Sequence, residues 1–278
     1  MQLTPRYGAD PVLRLEGSPA IVGPGIGQRR RLAALVASFT DEQWAHPSRC
    51  DAWSNRDVIA HLDSTNSFWS HSVAAGLRGE PTMLLAAFDP VTTPPQLIAG
   101  TSAISTSEVL DKFVASTESF ADLLASLGDD DWSTLAEAPP GHLTVSAVAH
   151  HALWDSWVHE RDILLPLGMA PAEEADEVGA CLRYVAGLGP ALALNRGIGD
   201  KGVLAIDVTE PDVSCVVEID GQVVVRSGTA SDNAQLRLSG GAVELVEALS
   251  MRRPLDQPIR PESSWMVAGL AETFDVTD

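Results

Sequence analysis

The segment Val148-Ala-His-His-Ala-Leu-Trp-Asp-Ser-Trp-Val-His-Glu-Arg-Asp162 places three histidines and two aspartates in fifteen residues of otherwise apolar, helix-compatible sequence. On a helix, residues four apart stack on one face. His151, Asp155 and His159 therefore form a row, and Asp162 falls three beyond His159 on nearly the same side. Imidazole and carboxylate together suit a borderline divalent ion such as zinc. One helix offers only two well-spaced ligands to a single ion, so a third must come from elsewhere. The best candidate is His61, in the amphipathic stretch Val58-Ile-Ala-His-Leu62.

Working outward, the pattern predicts a helix over 28–39, a capped short turn at Thr40-Asp-Glu-Gln43, and a second helix over 55–77 behind the capping box Ser54-Asn-Arg-Asp57. Residues 78–104 hold several prolines and no regular period, and read as a long loop of the kind that is often functional. Ser105-Thr-Ser-Glu108 caps a third helix to about residue 127, and Thr144 caps the fourth, which carries the opening segment to near Gly168. Four long helices with one long crossover describe a four-helix bundle.

Beyond about residue 170 the pattern changes. A helix over 172–194 is followed by strands at 203–208, 213–219 and 223–226, the last two joined through the turn signal Asp220-Gly221, and by an alternating strand at 235–238. Helices over 242–250 and 264–274 close the chain. The expected class is α+β: an irregular arm over 1–27, a helical bundle over 28–170, and a smaller domain over 171–278 with an antiparallel sheet and helices.

Composition narrows the function classes. An apolar fraction of 45% fits a globular chain of 278 residues, and a net charge of −20 speaks against nucleic acid and anionic membrane surfaces as partners. The three cysteines, Cys50, Cys181 and Cys215, are odd in number, far apart and without CxxC spacing. They form neither a disulfide framework nor a cysteine zinc site, and point to a reducing cytoplasm. No signal-peptide pattern or membrane-length apolar run is expected.

The order Trp44…Pro47-Ser-x-Cys50…Trp53-Ser…Asp57-Val…His61-Leu62, then Trp157-Val-His-Glu-Arg-Asp162, resembles the mycothiol-dependent maleylpyruvate isomerase family. Asp232-Asn-Ala-Gln-Leu-Arg-Leu-Ser-Gly and Leu249-Ser-Met-Arg-Arg-Pro-Leu255 are similar to that family's small C-terminal domain. The resemblance implies a DinB-like bundle and an enzyme of isomerase or S-transferase type. It implies a divalent metal, with zinc the default, on His61, Asp155 and His159. Mycothiol would be the thiol cosubstrate, and an electrophilic small molecule the partner it adds to. It also implies that Arg252 contacts an anion during catalysis. The chain departs from the family at Asp155, where many members carry Glu, and at Met251, where Gly often precedes the arginine. The thiol-independent alternatives are metal-assisted hydrolysis or rearrangement, and a non-catalytic metal- or ligand-binding protein. The chain is expected to be a monomer or homodimer.

Spacing supports the ligand choice. His151 and His159 would lie about 12 Å apart along the helix axis, too far to share one ion. His151 could pair only with Asp155, excluding His159. His150 points about 100° away and reads as surface or as a support to the ligands. Asp162 could orient a ligand imidazole or form an ordinary salt bridge. Trp154 and Trp157 read as core, and Cys50 as a possible but disfavoured fourth ligand.

Overall fold

A computed structural model of the chain describes residues 3–17, 21–199, 201–229 and 233–274. The helices are α1 (Val22–Val36), α2 (Asp41–Ala45), α3 (Asn55–Leu77), α4 (Thr93–Ala99), α5 (Thr106–Ala125), α6 (Val145–Leu164), α7 (Ala175–Asn195), α8 (Ala242–Leu249), α9 (Trp265–Ala268) and α10 (Ala271–Phe274). The strands are β1 (Leu13–Leu15), β2 (Leu135–Ala138), β3 (Gly141–Thr144), β4 (Lys201–Thr209), β5 (Val213–Asp220), β6 (Val223–Ser227) and β7 (Leu236–Gly241).

Local chemistry sets the helix starts. Thr40, Ser54 and Ser105 each accept the backbone N–H three residues on, and the residue there returns a side-chain bond to the cap. Thr144 accepts from the Ala147 amide to start α6. Each such cap satisfies donors a helix start leaves open, worth about 1 kcal/mol. In space α1, α5, α3 and α6 pack in a ring, each against the next, which is the four-helix bundle. Phe113, Phe120, Leu32 and Leu62 are fully buried in it.

Helix α7 is apolar on all sides, as a helix enclosed by protein should be. One side meets α6 and α1, and the other meets the sheet. The buried core runs from Trp157 and Leu153 of α6 through Leu188 and Tyr184 of α7 to Ile206 and Val217 of the sheet. The proposed division near residue 170 therefore lies beside a continuous core.

The sheet has the order β1-β6-β5-β4-β7. Its centre is the expected antiparallel meander β4-β5-β6, and the β5–β6 turn uses Gly221 at φ 64°. Both edges pair parallel, β1 with β6 and β7 with β4, so the whole sheet is mixed. The segment expected to be an irregular arm thus supplies a sheet edge and the first turns of α1. Pro24 is tolerated there because the first helical turn needs no N–H from it. Residues 1, 2 and 18–20 of that arm and Asp232 of the C-terminal motif lie outside the described residues. The expected long loop over 78–104 contains α4, and a hairpin of β2 and β3 precedes α6.

Candidate metal centre

The capped start of α3 fixes the phase of His61, which lies against the Trp53 ring at 5.3 Å between centroids. Asp155 and His159 sit one turn apart on α6, which packs on α3. Asp155 Oδ1 lies 3.9 Å from His61 Nε2 and 3.6 Å from His159 Nε2. All three ligand atoms lie within 4.8 Å of one another. A tetrahedral ion about 2.0–2.2 Å from each ligand would put neighbouring ligand atoms about 3.3–3.6 Å apart. The two distances from Asp155 Oδ1 are therefore within a few tenths of an ångström of that spacing, and the third pair lies inside 4.8 Å.

Two of the three candidate ligands have their second polar atom engaged elsewhere. His159 donates from Nδ1 to Asp162 Oδ2 at 3.0 Å, so its other nitrogen, Nε2, is the one that faces Asp155. Thr65 donates to Asp155 Oδ2 at 3.4 Å, leaving Oδ1 for the imidazoles. Burial alone would raise the Asp155 pKa, but His61 and His159 hold it far below the usual carboxylate range. It is an anion at neutral pH, as a ligand must be. Burial works against a charged His159, but Cys50, Asp162 and Asp155 raise its pKa well above the ordinary imidazole value. Side-chain exposures of 18%, 15% and 11% for His61, Asp155 and His159 leave this face open to a further ligand. Among the described residues no fourth histidine, cysteine or carboxylate joins the three.

Asp162 is completely buried behind His159. Its Oδ1 accepts from Arg49 Nε at 3.0 Å and Arg252 Nε at 2.9 Å. Its Oδ2 accepts from Arg252 Nη2 at 2.8 Å and the Cys50 thiol at 3.3 Å, besides His159. Burial would raise its pKa, yet His159 and Arg252 hold it far below the ordinary range. Arg252 reaches it from the end of α8 through a left-handed turn at Met251, φ 61°. There the Arg252 amide bonds the Glu247 carbonyl at 2.8 Å and the Met251 amide bonds that of Ala248 at 3.2 Å, the Schellman pattern. This is the position where the family often has Gly.

Arg252 is thus brought within one residue of the ligands, and Asp162 is a support to His159. Cys50, Asp162 and His159 Nδ1 also cluster, but two guanidinium groups already occupy Asp162, so a cation there would meet like charge. Cys50 faces the Nδ1 side of His159 and cannot reach an ion on the Nε2 side. His151 is core: its Nδ1 meets the Tyr184 hydroxyl at 2.5 Å, among the rings of Trp69, Trp154 and Tyr184. Burial lowers it to about 4, so it is neutral. His150 is not at the surface. It is fully buried and bonds the Ser146 carbonyl at 2.7 Å, because α7 covers that side of α6. Trp157 is core, while half-buried Trp154 donates to Ser250 Oγ at 2.8 Å. Arg253 pairs with Asp256 at 3.3 Å, on the surface.

Arg29, Arg49 and Thr65 were not singled out from sequence. Arg49 and Thr65 carry no local signal. Arg29 does, since it shares the period of buried Leu32, Ala33 and Val36 on α1.

Residues 27–164 match the mycothiol maleylpyruvate isomerase N-terminal domain family. Two crystal structures resemble the chain, one of the mycothiol-dependent maleylpyruvate isomerase and one of a histidine-to-alanine mutant of it. Each has a TM-score of 0.58 at 15% identity, covering 87% of this chain and 93% of the other, which is a likeness of fold. Among curated proteins none matches. With His61, Asp155 and His159 all inside the matched span, residues 27–164 belong to the mycothiol maleylpyruvate isomerase N-terminal domain family.

Proposed function

We propose that this chain is a metal-dependent, mycothiol-using isomerase acting on an electrophilic small molecule. Transfer of the thiol without isomerisation is the neighbouring possibility within the same chemistry. The observation that carries the reading is the open three-ligand face of His61, Asp155 and His159. Three protein ligands with an accessible side are the form of a catalytic zinc site, whereas a structural zinc is closed by four. A divalent ion held there, zinc by default, would supply Lewis acidity and lower the pKa of a coordinating thiol.

The chain's own residues do the rest. Asp155 gives one oxygen while Thr65 holds the other. Asp162 fixes the tautomer of His159. Trp53 and Trp154 flank the ligands with apolar surface, which strengthens charge interactions beside them. Arg252 is held at the rim by Asp162, with its side chain 22% exposed and able to meet an anionic group. The region after residue 170 contributes that arginine and so acts as a lid. No helix among the described residues is long and apolar enough to cross a membrane, and the three cysteines are free. A cytoplasmic setting with small-molecule partners belongs to the same reading.

The test is calorimetric titration of mycothiol into zinc-loaded and metal-free protein. Binding heat is expected only with metal, and its absence in both overturns the reading. Turnover without thiol selects the hydrolytic alternative. His159→Ala should abolish metal uptake, whereas Arg252→Ala should spare uptake and lower turnover.

A further inference from the structure

Arg29 is a buried charge with no charged partner. Its side chain enters the bundle core from α1, and the residue is 2% exposed. Nε donates to Asn66 Oδ1 at 2.9 Å, Nη2 to the Ala152 carbonyl at 2.5 Å and Nη1 to the Gly25 carbonyl at 3.4 Å, while the guanidinium lies over the Phe120 ring at 5.2 Å. Every acceptor is neutral, and among the described residues no carboxylate lies within ion-pair distance of it. Burial lowers it to about 10, which still leaves it protonated at neutral pH. A buried cation is normally paired with a carboxylate.

Its place explains the exception. Asn66 adjoins Thr65, the residue bonded to Asp155, and Ala152 lies one helical turn before Asp155. The guanidinium therefore lies on the core side of the ligand cluster, and Asp155 is the carboxylate whose charge it feels. His151 and Cys181 nearby are neutral, the first lowered and the second raised by burial.

We propose that Arg29 is a positioning residue that supplies a fixed positive charge behind the metal centre and so biases its open position toward an anionic ligand. This rests on the metal reading above. A cation at this place weakens binding of a divalent ion and strengthens binding of an anion beside that ion. Removing it must therefore move the two affinities in opposite directions, whereas a residue that only props the bundle would lower both.

The experiment uses the full chain at one neutral pH. Co2+ affinity is measured by competition with a chelator, and thiocyanate affinity of the Co2+ form from its visible spectrum. Arg29→Gln should bind Co2+ about tenfold tighter and thiocyanate about tenfold weaker, the size expected of one charge at partly screened range. Arg29→Lys should stay near wild type in both. Asn66→Asp keeps Arg29 in place and neutralises it with an adjacent carboxylate, so it should reproduce Arg29→Gln and carries the test should that variant not fold. Equal affinities in all variants, or a joint fall of both, overturns the proposal. A wild-type chain that takes up no Co2+ overturns the metal reading and this proposal with it. Metal uptake with unmoved anion affinity overturns this proposal alone.

Discussion

Replacing Asp162 with Asn is nearly isosteric, yet it reverses what the position offers. Every group around the carboxylate is a donor: Arg49 Nε, Arg252 Nε and Nη2, the Cys50 thiol and His159 Nδ1. An amide must turn its NH2 toward some of them. Breaking a fully buried ion pair costs about 3–5 kcal/mol. Here Arg49 and Arg252 keep side-chain exposures of 23% and 22%, and Arg49 also holds Glu247. Solvent therefore offsets part of the loss, and Asp162→Asn should destabilise the metal-free protein by about 2–3 kcal/mol. A second effect falls on the metal. With NH2 facing it, His159 would present the Nδ1 lone pair to position 162 and carry its proton on Nε2, where the ion should bind. Loss of such an outer hydrogen bond costs about 10–100-fold in metal affinity. Urea unfolding of the chelator-treated protein measures the first effect and competitive zinc titration the second. Stability within 1 kcal/mol of wild type, together with unchanged zinc affinity, would refute the reasoning.

Two further substitutions test the scaffold. Met251→Gly and Met251→Ala remove the same side-chain packing, but only Gly adopts the left-handed backbone freely, so the Gly variant should be about 1 kcal/mol more stable by urea unfolding; equal stabilities would argue against strain at this turn. Glu137 is fully buried and accepts from Tyr7 Oη, Thr82 Oγ1 and the amides of Leu84 and Leu85, so it ties the N-terminal segment, the crossover and the β2–β3 hairpin together. Glu137→Gln should cost about 3 kcal/mol and open the crossover over 78–104 to limited proteolysis first; a change below 1 kcal/mol, with the wild-type cleavage pattern, would count against it.

The helices were legible because their signals are local. Capping boxes at Thr40, Ser54 and Ser105 lie within four residues of sequence, and each recurs in the structure. So was the ligand row, since the four-residue helical period alone puts Asp155 and His159 together. The strand at β7 was expected but its parallel pairing with β4 was not, and β1 was not legible at all, because it has three residues and pairs with β6 more than 200 positions away. His150 was misread for a related reason. Helical phase gives a direction, but the helix that covers that direction comes later in the chain. Arg49 and Arg252 converge on Asp162 from segments about 200 residues apart, and no periodicity records such a meeting.

These contacts also explain why the centre is built across two regions. All three candidate ligands come from the bundle, but the carboxylate bonded to His159 is neutralised partly from outside it, by Arg252 as well as by Arg49. Arg252 binds Asp162, Glu247 of α8 accepts from both Arg49 and Arg161, and Ser250 accepts from Trp154 beside the ligands. Without α8, Asp162 would remain buried with less countercharge, and its hold on the His159 proton would change. Docking of α8 and orientation of His159 are therefore one cooperative event. In a chain of net charge −20, the same arginines place cations beside the candidate centre, on the side where the proposed anionic thiol or substrate would enter. A Met251 turn that costs backbone strain is tolerated because it delivers Arg252 to Asp162, so relieving the strain should leave the arginine's contact in place.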